Sequence, residues 1–491
     1  MDYRSTRGSE NKKSAAQAII KGIAEDKGLY VPAEIPSLGV KPEQLKGMDY
    51  RQIAFTVLSR FLTDYTEEEL RYCIDHAYDD KFEAPEVVPV KKAGDAWFLE
   101  LYHGRTAAFK DMALSILPYL LTTAMKKEHE DKKIVILTAT SGDTGKAALE
   151  GFADVPGTEI IVFFPQDGVS QVQARQMITQ EGANTHVFGI KGNFDDAQTG
   201  VKKIFNDAGL AQRLADRGCK LSSANSINIG RLVPQVAYYV WAYVQLLEKG
   251  ALADGEPMNV VVPTGNFGNI LAAYYAKQMG IPVGKLICAS NENRVLTDFF
   301  EQGVYDTKRA FHVTNSPSMD ILISSNLERL LYHLSGGDGA AIAEMMNSLE
   351  QKKEYAVSEK IRNGMKDFFG GCADQEETKR TIGDMYRDHG YLMDTHTAVA
   401  YKVYEDYRAK TGDETPTVIA STASAYKFAD SVAQSIGLPE EADGFAYVRA
   451  LNGETGVPIP AGLKGLEEKP VRHKGVIEKD RLEAAVLDSL K

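Results

Sequence analysis

Lys110 is the residue of this chain whose setting most suggests covalent chemistry. It lies in HGRTAAFKDMALSIL, His103 to Leu117, behind Ala107, Ala108 and Phe109 and ahead of a helical pattern. A lysine taken out of water near a helix N-terminus has its cationic form disfavoured, so a neutral, nucleophilic amine becomes accessible. Lone lysines are usually surface residues; the small and apolar neighbours are what argue for burial here.

Four further loops place glycines, hydroxyls and amides where helices begin. In PTGNFGN the residues Gly265, Asn266, Phe267, Gly268 and Asn269 separate a strand from a helix. Such a loop turns successive N–H groups toward one point and makes a phosphate cradle, or else it is a tight turn with a capping asparagine. TSGDTG (Thr140, Ser141, Gly142, Asp143, Thr144, Gly145) is built alike, with Lys146 following. It is not a nucleotide-binding P-loop, because the first glycine position is Thr140 and the last position is Ala147. It reads as a seat for a carboxylate or as a helix start capped by Ser141 or Asp143. NSINIGR offers Asn225, Ser226, Asn228 and Arg231 ahead of an apolar helix, either to bind a dianion or as a cap beside a solvated arginine. STASAYKF brings Ser421, Thr422 and Ser424, hydroxyls able to pair with a ring nitrogen or to cap a helix.

The elements that must position these loops repeat in kind. A short β-branched run leads through small polar residues into an amphipathic stretch at 132–137, 158–164, 259–262, 285–289 and 416–420. Strands apolar on both faces and alternating with helices predict parallel sheets covered by helices, with the ligand crevice at the strands' carboxyl ends. Residues 1–95 read as mainly helical, 96–225 as a smaller α/β domain and 226–491 as a larger one. The larger block carries a charged helical insertion at about 338–390 and ends in a Pro- and Gly-containing stretch and a helix at 479–490.

With 491 residues, 44% of them apolar, the chain can bury two or three cores. A formal charge of -12 and no basic block argue against nucleic acid or an anionic membrane as the main partner. Cys73, Cys219, Cys288 and Cys372 are scattered, which excludes a closely spaced zinc or redox site and predicts no metal. Met1 to Lys13 lacks an apolar signal core, and the apolar run 232–247 is too short to span a bilayer, so a cytoplasmic protein is expected.

Taken together the segments resemble the threonine synthase family of pyridoxal phosphate (PLP) enzymes, of fold type II (tryptophan synthase β-like). The resemblance runs nearly end to end, through YRSTRG (Tyr3–Gly8), GLYVP (Gly28–Pro32), HGRTAAFKD, TSGDTG, NSINIGR, PTGNFGN, SPSMDI (Ser316–Ile321) and SSNLERLLY (Ser324–Tyr332). The last two segments and the charged insertion are similar to the long-chain branch. The resemblance implies two parallel-sheet α/β domains with PLP between them. Lys110 would carry the cofactor, the amides of Gly265, Asn266, Phe267, Gly268 and Asn269 its phosphate, and Thr422 would face the pyridine nitrogen. Thr140, Ser141, Gly142, Asp143 and Thr144 would receive the substrate carboxylate; Asn225, Ser226, Asn228 and Arg231 match the segment that contacts the substrate phosphate. Arg105-Thr106-Ala107-Ala108 stands where the family often has Pro-Thr-Leu-Ala, which leaves open whether Arg105 adds a phosphate contact. The implied activity is a carbon–oxygen lyase reaction that converts O-phospho-L-homoserine and water to L-threonine and phosphate, the last step of threonine biosynthesis, in a monomer or homodimer. Two rivals remain: a dehydratase or phospholyase of the same fold, and a phosphate-binding protein without covalent chemistry.

Overall fold

The structure, a computed structural model, describes the chain except Glu10, Ser141, Gly168 and Lys491 and the side chain of Asp195. Two sheets carry it. The larger runs Phe368–Cys372, Val283–Ser290, Met258–Pro263, Thr417–Ser421, Ala96–Glu100, Val90–Ala93, parallel throughout except for the last pair. The smaller is wholly parallel, in the order Gly475–Glu478, Thr185–Lys191, Thr158–Pro165, Lys133–Ala139, Cys219–Ser222. The five expected strands are all present. Met258–Pro263 and Thr417–Ser421 are buried at every position, which accounts for the apolar runs Val260–Pro263 and Val418–Ala420 within them.

Sheet membership departs from the contiguous blocks 96–225 and 226–491. The hairpin Val90–Ala93/Ala96–Glu100 joins the larger sheet, Ala96–Glu100 lying parallel to Thr417–Ser421, and the C-terminal strand Gly475–Glu478 closes an edge of the smaller one. The region 338–390 is not purely helical either. Between Glu359–Gly364 and Gln375–His389 the strand Phe368–Cys372 pairs with Val283–Ser290. Its glycines permit this: a Cβ on Gly370 would lie 2.9 Å from Thr297 Cα, and one on Gly371 2.5 Å from the Val403 side chain. The neighbouring helices thus pack on bare backbone.

The apolar run after Arg231 forms the helix Ile229–Glu248, buried everywhere but Gln245 and Glu248 and packed against the helices Tyr50–Phe61 and Gly268–Gln278. Its hydrophobicity on all sides is that of a core helix. No helix among the described residues is long and apolar enough to cross a membrane. N-terminal helices Ala15–Lys21, Tyr50–Phe61 and Glu67–Ala77 pack on the same core, and Tyr3–Ser5 pairs antiparallel with Tyr30–Pro32.

Candidate active site

The loop bearing Lys110 is laced to the loop that follows Thr417–Ser421. Phe109 N–H donates to Thr422 O at 2.8 Å, Ser424 N–H to Ala107 O at 3.0 Å, and Ala108 bridges Ala423. Ala107 and Ala108 are fully buried and Lys110 is 9% exposed, as its neighbours predicted. Lys110 Nζ lies 3.6 Å from Asp143 Oδ2 and 3.5 Å from Ser318 Oγ. Burial lowers its pKa, Asp143 opposes the shift, and the Arg231 and Lys427 cations reinforce it. The uncharged amine is therefore within reach, and Arg231 is close enough to help make it so.

The two readings of GNFGN separate here. The helix Gly268–Gln278 has Phe267 as its N-cap with no side-chain hydrogen bond, so neither asparagine caps it. The backbone amides of Gly265, Asn266, Phe267, Gly268 and Asn269 make no hydrogen bond to another described group. Phe267 holds a left-handed φ of 66°, which for a bulky residue costs on the order of 1–2 kcal/mol. Its ring is buried, stacked on Phe300 and packed against Phe368, which offsets the strain. A Cβ on Gly265 would come within 2.5 Å of Ser318 O, whereas one on Gly268 would meet nothing nearer than 3.6 Å. Asn269 Oδ1 accepts from the Tyr238 and Tyr239 hydroxyls, and its buried Nδ2 has no partner among the described residues. An anion fits these free donors at a helix start.

Around TSGDTG the sequence expectations need revision. Ser141 lies outside the described residues. Thr140 shapes the loop, its Oγ1 accepting from the Gly142 and Gly145 amides at 3.0 and 2.9 Å. The helix Asp143–Phe152 starts at Gly142 (φ 138°) without a side-chain cap. Asp143 is buried and its carboxylate instead meets Lys427 Nζ at 3.0 Å and Gln173 Nε2 at 2.9 Å. Burial pushes the Asp143 carboxyl up, but the Lys427 and Lys110 cations more than reverse this and hold it below the usual carboxylate range. An ionised Asp143 side chain would repel a substrate carboxylate, so among the described residues of this loop the backbone and Thr144 remain to receive one. Thr144 is half-buried with no hydrogen bond to its hydroxyl among the described residues.

NSINIGR divides between the readings open to it. Asn228 is the cap: its Oδ1 accepts from Gly230 N–H at 2.9 Å, and its Nδ2 donates to Ile19 O and Ser223 O. That side chain is spoken for and leaves the proposed phosphate contacts. Arg231 is not solvated; it is 4% exposed, donates from Nη1 to Ala224 O at 3.0 Å, and its Nε is buried without a partner among the described residues. No carboxylate pairs with it among the described residues, and burial lowers its pKa to about 10. Asn225 and Ser226 are half-buried beside it in sequence. In STASAYKF, Ser424 is the cap of the turn Ala425–Phe428, while Thr422 is free of that task. Arg105 is half exposed and paired with Glu150 at 3.3 Å, so it is not drawn into the site.

Several groups at the site gave no sequence signal. Lys427 is 1% exposed and donates to Thr106 O at 3.1 Å besides meeting Asp143. Asp111, beside Lys110, accepts from Thr106 N–H and Oγ1 at 2.8 and 2.6 Å, and burial lifts its pKa to about 6. Ser318 N–H donates to His396 Nε2 at 3.1 Å, and His396 Nδ1 in turn meets Asp394 at 2.7 Å. Lys427 and these other groups reach the site through folding.

Residues 84–364, which include Lys110 and the loop Gly265–Asn269, match the family described as pyridoxal-phosphate dependent enzyme. Residues 2–78 match the threonine synthase N terminus and 397–486 the threonine synthase C-terminal region. The chain belongs to the threonine synthase family of pyridoxal-phosphate-dependent enzymes. It is 38% identical to threonine synthase of Pseudomonas aeruginosa over 88% of this chain and 90% of that protein. It is 40% identical to human threonine synthase-like 1 over 88% of this chain, but spans only 59% of that protein's length. The crystal structure of PLP-bound threonine synthase from Brucella melitensis superposes with a TM-score of 0.88 at 35% identity, covering 100% of both chains. The yeast threonine synthase structure gives 0.88 at 32% identity, over 100% of this chain and 98% of that one.

Proposed function

We propose that this chain converts O-phospho-L-homoserine and water to L-threonine and phosphate with PLP held on Lys110. The observation that carries the reading is Arg231: among the described residues it is a buried guanidinium without a carboxylate, near Lys110 and separate from a cradle of five amides free of hydrogen bonds. PLP accounts for one anion seat. A dehydratase substrate has no use for the second, and a dianionic substrate does.

The residues fit the cofactor. The amides of Gly265, Asn266, Phe267, Gly268 and Asn269 would hold its phosphate, the Lys110 Nζ its carbon end and the Thr422 hydroxyl its ring nitrogen. When bound, PLP supplies an electron sink for negative charge developing beside the amino-acid Cα. A neutral Lys110 Nζ takes the protons from Cα and Cβ, returns one at Cγ and, after water has added, returns the other at Cα. Arg231 binds the phosphate as it leaves Cγ, with Asn225 and Ser226 beside it, and Thr144 with the loop backbone orients the substrate carboxylate. Water adds its hydroxyl at Cβ and its remaining proton leaves with phosphate, so the atoms balance.

A small-molecule substrate, a monomer or homodimer and a cytoplasmic site complete the reading. The cysteines, all free, suit a reducing compartment. The test is product analysis with purified holoenzyme and O-phosphohomoserine. Threonine and phosphate in equal amounts are expected. Phosphate accompanied by a 2-oxo acid and ammonia would assign a phospholyase instead.

A further inference from the structure

The segment Ser324–Arg329 reaches both anion seats, through their backbone carbonyls. Ser324 Oγ donates to Gly265 O at 2.6 Å, and Asn326 donates twice to Asn266 O, from its backbone N at 3.1 Å and from Nδ2 at 2.8 Å. Arg329 is 0% exposed and donates from Nη2 to Ile227 O at 2.6 Å, from Nη1 to Ser226 O at 3.4 Å, and from Nε to Tyr30 O at 2.9 Å. Its Nη1 also meets Asn326 Oδ1, so one guanidinium joins the 225–231 segment to the side chain that grips the cradle. Glu328, in the helix Leu327–Ser335, faces the other way, taking Thr6 Oγ1 at 2.5 Å and Arg7 at 2.9 Å, and so pins the N-terminal segment to that helix.

Peptide geometry converts these contacts into an effect on the site. No described peptide bond is cis, and in a trans peptide the carbonyl of one residue and the N–H of the next point in opposite directions. A donor that captures Gly265 O therefore aims Asn266 N–H away from Ser324, and one that captures Asn266 O aims Phe267 N–H the same way. Both are among the free amides of the cradle. Across the site, capture of Ser226 O likewise directs Ile227 N–H. A planar fork with five donors can hold diverging carbonyls at once, which an ammonium on a flexible stem cannot.

We propose that Ser324, Asn326 and Arg329 are positioning residues that aim the cradle amides, and that Arg329 keeps the cradle and the 225–231 segment in register. This rests on reading the cradle as the cofactor-phosphate seat and 225–231 as the substrate-phosphate seat.

The test measures PLP dissociation constants by absorbance titration, the ³¹P resonance of bound PLP, and inhibition by inorganic phosphate, alongside melting temperature. Ser324→Ala and Asn326→Ala should each raise the PLP dissociation constant by about tenfold and move the ³¹P resonance, since a charge-assisted bond from each misaimed amide is weakened. Phosphate inhibition in Ser324→Ala should stay within about twofold of the parent, because the second seat keeps its arginine. Arg329→Lys should weaken PLP and inorganic phosphate together. Ser324→Ala deletes one atom and carries the test if Arg329→Lys fails to fold. Lower melting temperatures with unchanged PLP affinity and ³¹P resonance in Ser324→Ala and Asn326→Ala would overturn the proposal. Gly265→Ala separates the premise from the inference: if it too leaves PLP affinity unchanged, the cradle reading falls. If it weakens PLP while Ser324→Ala and Asn326→Ala do not, only the positioning role falls.

Discussion

Replacing Arg231 by methionine removes a charge that is buried with no carboxylate partner among the described residues. The lowering of its pKa from 12.5 to about 10 corresponds to about 3 kcal/mol by which the surroundings disfavour the cation. A protein does not retain such a cost for packing, since an apolar side chain of similar length would relieve it. Its one hydrogen bond, to Ala224 O, would be lost, at about 1–3 kcal/mol for an unsatisfied buried carbonyl. The two effects are of similar size, so the melting temperature of Arg231→Met should stay near that of the parent or rise. Catalysis behaves differently. A charged hydrogen bond to a buried dianion is worth on the order of 2–4 kcal/mol, so kcat/KM for O-phosphohomoserine should fall by roughly 30- to 1,000-fold. Binding of homoserine or serine, which carry no phosphate, should change little, and so should PLP affinity. Inorganic phosphate should raise the melting temperature of the parent and not of the variant. The assays are steady-state phosphate release, spectral titration with the phosphate-free amino acids, and thermal melts with and without phosphate. Equal losses for phosphorylated and phosphate-free substrates, with a fallen melting temperature, would show that Arg231 is structural and would refute the argument.

Further outcomes follow from the same geometry. Lys110→Ala should lack the visible band that borohydride removes from the parent, and should not turn over; full activity in it would remove the central assignment. Gly265→Ala should weaken PLP far more than Gly268→Ala, because its Cβ would press on Ser318 O at 2.5 Å while that of Gly268 has ordinary room, and equal affinities by titration would contradict this. Asp111→Asn tests the buried carboxyl whose pKa burial lifts from 3.8 to about 6. The folded chain keeps that proton longer than the unfolded one, so the unfolded state binds fewer protons between about pH 4 and pH 6 and stability falls as pH rises through that window. At neutral pH the asparagine variant should be more stable by up to about 3 kcal/mol, a gain that vanishes near pH 4 in urea titrations. Parallel stability curves for parent and variant would show that Asp111 ionises normally.

How much of this was legible beforehand depends on whether the cause was local. The five strands were readable because a strand covered on both faces is apolar along most of its length, as Val260–Pro263 within Met258–Pro263 and Val418–Ala420 within Thr417–Ser421 are. The edge strands Val90–Ala93 and Gly475–Glu478 were not, since short strands of mixed burial carry no such run. Phe368–Cys372 was hidden among charged helices, and its pairing depends on helices packing against glycines that only folding brings near.

The site divides in the same way. By itself the sequence determined which backbone could serve as a cradle, because only glycine tolerates the approach of Ser318 O at position 265, and that Lys110 sits among residues that bury it. Tertiary structure alone decided which polar side chains are free. Asn228 and Arg231 are three residues apart in one motif, yet the first is consumed in capping its helix and the second is left with an unanswered charge. Asp143 carries the same carboxylate wherever it stands, and Lys427, 284 positions later in the chain, ties it up at 3.0 Å. A sequence records which groups can donate or accept; whether a given donor is already satisfied depends on partners from distant segments, and unsatisfied donors are what a ligand binds.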